Sequence, residues 1–219
     1  MTVLFTQYWD VVHGKFDEYS EFMTNEYMPA LEQLGIKLLG GFYVAVGEGP
    51  RIIVVATVEE QDYLRKILAT DEYRVISGKL MSFVYQYSSK LWVSSGRLLE
   101  EPYKIHTAAW KFNQYYNVVP GQEEAHYRFV KEECIPGMKA LNVPVTGAWR
   151  LVIGSGPTIL AECTAKNILD IAKAVDTSEF RRLVRTMKKN YAANFGSRIL
   201  APTGRIEVPQ IMKEMMKGF

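Results

Sequence analysis

The residues with the widest chemical reach in this 219-residue chain are three histidines, two cysteines and a pair of repeated carboxamides. His13, His106 and His126 are widely separated, and no HxH, HxxxH or HExxH spacing occurs, so no metal site is expected. His13 falls in a turn and His106 ahead of a strand, where solvated imidazoles are expected. His126 stands apart, because it lies on the apolar stripe of a helix, one turn before Phe129 and Val130. Such a histidine is either a hydrogen-bonded core residue or a functional group facing a pocket. Cys134 and Cys163 form no CxxC pair, and scattered thiols of this kind predict reduced side chains in a reducing compartment.

The carboxamides are Gln7 and Gln114, each in a Gln-Tyr pair (Gln7-Tyr8, Gln114-Tyr115) followed by Trp9 or Tyr116. On a strand, successive side chains point to opposite faces, so Gln7 shares a face with Trp9 and not with Tyr8. A buried carboxamide needs hydrogen-bond partners, which a neighbouring strand residue or a ligand can supply. Other chemistries are excluded. GEGPR and GSGPT lack the following helix and the GK[ST] of a phosphate-binding loop, and Ser155 is not at a nucleophile elbow. Glu59-Glu60 and Glu100-Glu101 sit at element ends and read as solvated.

Composition narrows the class. The chain is 48% hydrophobic and 23% charged, ordinary for a folded globular protein. A net charge of +2 gives no concentrated basic face for nucleic acid; Arg181, Arg182, Arg185, Lys188 and Lys189 spread over the polar side of one helix. No signal peptide opens the sequence and no run reaches the roughly 20 apolar residues of a membrane-spanning helix. The expectation is a cytoplasmic protein without a membrane or nucleic-acid partner.

The elements that must position these residues come in two copies. With the chain displaced by 107 residues against itself, 16 of the 53 positions from Phe5 to Thr57 are identical, glycines and prolines included. FTQYWDVVHG aligns with FNQYYNVVPG, NEYMPALEQLG with EECIPGMKALN, and GGFYVAVGEGP with GAWRLVIGSGP. After a one-residue slip, SSGR aligns with PTGR. Each copy reads strand, helix, hairpin, broken helix, strand. The first strands run about Val3 to Val12 and Ala108 to Val119. The first helices carry apolar residues at 3.6-residue spacing, Phe16, Tyr19, Phe22, Met23, Tyr27, Leu31 and Leu34 in copy one. Pro29 and Pro136 predict a kink or a fresh turn. The second helices are capped at Asp71 or Thr70 and at Ser178 or Thr177, and run to about Tyr85 and Ala192. The predicted fold is α+β: two tandem ferredoxin-like βαββαβ units, residues 1–100 and 101–205, forming an intramolecular dimeric-type α+β barrel, followed by a tail over 206–219. Both strand faces are apolar, so each sheet needs cover on its second side, and sheet against sheet supplies it.

The helix-break-helix AKAVDTSEFRRLVRTMKKN and the closing NFGSRILAPTGR resemble the dimeric α+β barrel superfamily, within it the NIPSNAP and antibiotic-biosynthesis-monooxygenase families. The resemblance covers nearly the whole chain, once per repeat. It implies a small apolar or aromatic ligand between helix and sheet, handled without metal or bound cofactor in a monooxygenase-like reaction. It would make His126 a general base and give the pocket role of the first-strand carboxamide to Gln114 or Asn113. Tyr115, Trp149, Gln7 and Tyr19 are the accompanying candidate ligand-binding residues. The heme-degrading branch carries an axial histidine on its second helix, and neither second helix here has one, so heme ligation of that kind is not expected; a heme-binding protein, with His126 supplying a different geometry, stands as a third and weaker reading. The rival expectation is a non-catalytic interaction protein with a filled barrel. In it the tail, with Met212, Met215 and Met216, docks a partner or a second copy in a homo-oligomer.

Overall fold

A computed structural model describes residues 3–96 and 109–203. The repeat junction, His106, Glu100-Glu101 and the tail with its methionines lie outside the described residues.

The first copy comprises β1 (Val3–Val11), α1 (Phe16–Phe22), a π turn (Met23–Tyr27), α2 (Met28–Gln33), β2 (Lys37–Val46), β3 (Ile52–Val58), α3 (Gln61–Leu68), α4 (Asp71–Leu80) and β4 (Val84–Ser94). The second repeats it as β5 (Trp110–Val118), α5 (Glu123–Phe129), a π turn (Val130–Cys134), α6 (Ile135–Ala140), β6 (Val145–Ile153), β7 (Ile159–Ala165), α7 (Ile168–Val175), α8 (Ser178–Asn190) and β8 (Ala192–Pro202). The prolines explain the π turns. Pro29 and Pro136 have no N–H, and the helix widens by one residue just before each, with Met28 N bonding Met23 O and Ile135 N bonding Val130 O. A fresh turn then starts with proline in its first two positions.

Thr70 and Thr177 are the caps, accepting from Tyr73 N and Phe180 N. α4 ends at Leu80 and not near Tyr85, because the segment from Val84 pairs with β1 (Val11 opposite Val84). Gln86 and Asn194, at matching places in β4 and β8, both have positive φ of 54° and 53°. Each stands beside the same bulge in the pairing with the first strand; the one-residue slip between the halves lies earlier, between the start of the last helix (Asp71, Ser178) and the start of the last strand (Val84, Ala192).

Within each copy the strand order is that of a ferredoxin-like sheet, and the copies join edge to edge in the closed order β1-β3-β2-β8-β5-β7-β6-β4. The junctions β2–β8 and β4–β6 are antiparallel like all the others. Closure leaves no unpaired strand edge. It also divides each strand's side chains between two environments. Leu4, Tyr8, Phe42, Trp92, Tyr115, Trp149 and Leu200 form a core inside the barrel, drawn from both copies. The alternate residues, among them Phe5, Trp9, Phe112 and Tyr116, pack outward under the helices of their own copy.

Candidate functional site

The two helix–sheet layers begin from the same sequence plan and end in different states. In copy one, Gln7 is fully buried and its carboxamide is satisfied twice. The Tyr27 hydroxyl, from the π turn, lies 2.8 Å from Gln7 Nε2 and 3.2 Å from Oε1, and the Tyr87 hydroxyl accepts from Nε2 at 2.8 Å. Trp9 Nε1 donates to Tyr19 at 2.9 Å and its ring stacks on Tyr87. This layer is closed by its own aromatic residues.

In copy two the alignment places Cys134 where Tyr27 stands and Phe195 where Tyr87 stands. Both hydroxyls that hold Gln7 are therefore missing. Gln114 is only half-buried, and among the described residues its carboxamide has no hydrogen-bond partner. It faces a chamber whose walls include Tyr116, Cys134, Met138, Met187 and Phe195. About 40 Å³ of that chamber is open to water, room for a water or two. Copy two is copy one with its plug removed.

His126, in the place of Tyr19, sits behind this chamber. Its Nε2 lies 3.0 Å from the Tyr116 hydroxyl, the counterpart of the Trp9–Tyr19 contact. Burial lowers the His126 pKa from 6.5 and raises that of Tyr116, so near neutral pH the pair is an uncharged phenol and imidazole sharing one proton. Burial also pushes the Cys134 thiol up to about 12, which makes it a poor nucleophile. The His126 shift has a sign that can be measured. With its pKa lowered below 6.5 in the fold, the unfolded chain takes up this proton first. The stability contribution is complete above pH 6.5 and is lost as the pH falls below it, by at most about 1.4 kcal/mol per pH unit. Denaturant titrations between pH 7.5 and 5 should show this loss in the wild type and a flatter profile in His126→Gln.

The structure distributes the sequence-predicted residues over three compartments. Gln114 and His126 belong to the copy-two chamber, linked through Tyr116. Gln7 and Tyr19 lie in the closed layer of copy one. Asn113, Tyr115 and Trp149 lie inside the barrel, on the opposite side of the sheet from Gln114, because strand neighbours alternate. Asn113 donates weakly to the Tyr115 hydroxyl at 3.4 Å. The interior also holds an ion pair, Lys111 Nζ to Glu162 at 2.7 Å, with side chains 1% and 4% exposed. Tyr116, Cys134 and Phe195 are the chamber residues that sequence reasoning missed. Their signal is present as differences between the aligned copies.

Among the described residues no three His, Cys, Asp or Glu side chains gather as a metal would require, and no helix is long and apolar enough to cross a membrane. Neither α4 nor α8 carries a histidine, and the chamber is too small for a porphyrin, so these residues do not fit a heme.

No family model matches the sequence, and no curated protein matches it. Solved structures do. A candidate monooxygenase from Lactobacillus acidophilus NCFM aligns over 92% of this chain and 93% of its own, at 10% identity and a TM-score of 0.59. An anthrone oxidase-like protein aligns over 92% and 91%, at 10% identity and a TM-score of 0.60. A mutant chlorite dismutase from Candidatus Nitrospira defluvii aligns over 98% and 95%, at 10% identity and a TM-score of 0.59. The fold is a dimeric-type α+β barrel, here with both ferredoxin-like units in one chain.

Proposed function

We propose that the second repeat binds a small apolar or aromatic molecule carrying a hydrogen-bonding oxygen, and acts on it as a metal-independent oxygenase. The observation that carries this reading is the unpartnered Gln114 carboxamide in an otherwise apolar chamber, where copy one satisfies the same glutamine with two tyrosines. A ligand oxygen would take the place that the tyrosine hydroxyls hold beside Gln7 in copy one. A ring-sized ligand needs more than 40 Å³; Met138 and Met187, with three rotatable bonds each, are the walls able to move aside.

In this reading Gln114 donates to the ligand's oxygen. Tyr116 passes the substrate's ionisable proton to His126 Nε2, with no free tyrosinate formed. The resulting electron-rich enolate or phenolate then reacts with dioxygen directly. Since one structural neighbour is an anthrone oxidase-like protein, 1,8-dihydroxyanthrone is the first probe. Its CH2 carbon takes up one dioxygen and leaves as C=O plus water. Gln114→Ala should weaken binding about tenfold, the worth of one hydrogen bond, with oxygen uptake and fluorescence titration as readouts. If Gln114→Ala and His126→Ala both left binding and turnover unchanged, the assignment would fail.

A second reading, a non-catalytic interaction protein, is favoured by one feature. The small chamber contrasts with an open groove of about 940 Å³ between α7, α8 and Ile199, apolar at its floor (Val175, Phe180, Val184) and basic at its rim (Arg185, Lys188, Lys189).

A further inference from the structure

Each repeat sends one cation toward the same corner of the barrel. Lys90 in β4 and Arg198 in β8 occupy matching positions of the two copies. Lys90 Nζ lies 5.5 Å from the centre of the Tyr8 ring and 5.7 Å from that of Trp92. The Arg198 guanidinium carbon lies 5.8 Å from the same Tyr8 ring and 5.3 Å from Tyr115. Two like charges therefore share one aromatic ring. Both side chains are half-buried, and among the described residues neither makes an ion pair or donates a hydrogen bond. Burial first, and the charge of Arg198 second, hold the Lys90 ammonium below its ordinary pKa. Ring faces attract cations by about 0.5–2 kcal/mol, yet they satisfy few N–H donors.

The hairpin turns cover these cations crosswise. Gly47 and Gly49 of copy one lie against Arg198 of copy two; a methyl group at Gly49 would stand 2.6 Å from Nη2. Gly154 and Gly156 of copy two lie against Lys90 of copy one, where methyl groups would stand 3.0 Å from Cγ and 3.2 Å from Nζ. The GxGP turns are glycine-rich for a second reason beyond their positive φ, because side chains there would displace the cations. Directly across from Arg198 in the β5–β8 register stands Asn113, 5% exposed, whose carboxamide oxygen has no partner among the described residues. Cross-strand neighbours stand about 5 Å apart on one face of the sheet, so Asn113 stands beside Arg198 on the barrel side.

We propose that this corner is a binding site for inorganic monohydrogen phosphate. The anionic oxygens take the free N–H donors of Lys90 and Arg198, bidentate at the guanidinium. A P–OH supplies the donor that the Asn113 oxygen lacks. The site lies on the barrel side of the sheet, away from Gln114 and His126, and stands independently of the oxygenase reading.

The test uses inorganic phosphate on the full chain at pH 7, against sodium chloride at equal ionic strength. The wild type should show a saturable rise in Tm with phosphate that chloride does not reproduce. Lys90→Gln and Arg198→Gln should each weaken the apparent phosphate affinity at least tenfold. In chloride both should melt no lower than the wild type, since one of two repelling charges is gone. If Arg198→Gln does not fold, Lys90→Gln carries the comparison alone. A wild-type response no larger than that to chloride, or an undiminished response in the variants, overturns the proposal.

Discussion

Lys111→Met is expected to destabilise the protein by about 3–5 kcal/mol, the largest single-residue effect on stability anticipated here. The ammonium of Lys111 lies 2.7 Å from the Glu162 carboxylate inside the barrel, with both side chains almost fully buried, and 4.6 Å from the centre of the Phe42 ring. Removing it takes the ion-pair partner from a carboxylate that remains in a low-dielectric interior. The repeat supplies the control. Copy one carries Leu4 and Val55 at the positions of Lys111 and Glu162, and both are buried. The double variant Lys111→Leu/Glu162→Val should therefore recover most of the loss, as replacement of a buried ion pair by apolar residues generally does. Urea unfolding of Lys111→Leu, Glu162→Val and the double variant measures the coupling. Additive losses would mean that the pair is not the unit of stability.

His126→Ala should lower kcat at least a hundredfold, within the range of general acid–base catalysis, while leaving ligand affinity within a few-fold of wild type. The reason is geometric. His126 does not line the chamber but lies 3.0 Å by its Nε2 from the Tyr116 hydroxyl, which does, so in the proposed reaction it would handle a proton and not hold the ligand. Tyr116→Phe should cost a similar factor, and the double variant scarcely more, because the two act as one relay. The pH profile separates this role from packing. Wild-type activity should rise with pH through a pKa below 6.5, where the neutral imidazole becomes available. That limb should vanish in His126→Ala. Equal losses in affinity and turnover with an unchanged pH profile would reduce His126 to a core residue.

Architecture was the most legible part of the sequence, because the duplication is written in glycine and proline punctuation that survives divergence. The need to cover two apolar faces of each sheet pointed to the closed barrel. Grouping the pocket residues was harder. Asn113, Gln114 and Tyr115 are consecutive on β5, and the strand's two-residue period allows only Gln114 to join His126. Trp149 lies inside the barrel by the same rule. The helix end near Tyr85 was misplaced because short mixed apolar and polar runs such as Val84 to Tyr87 suit either a last helical turn or a strand. The depth of Lys111 was not readable, since a lysine beside Trp110 and Phe112 becomes interior only when the second sheet closes over it. The chamber itself was legible in principle, as the two places where copy two lacks a tyrosine hydroxyl of copy one.

Those two places allow the most direct test of the account. Cys134→Tyr combined with Phe195→Tyr rebuilds in copy two the plug that Tyr27 and Tyr87 form in copy one. Fluorescence titration of 1,8-dihydroxyanthrone into this double variant and into the wild type compares an occupied chamber with an open one. The account predicts a variant that folds at least as stably as the wild type and binds the probe at least a hundredfold more weakly. A stable variant that binds as tightly as the wild type would contradict it, and would place any ligand elsewhere on the barrel.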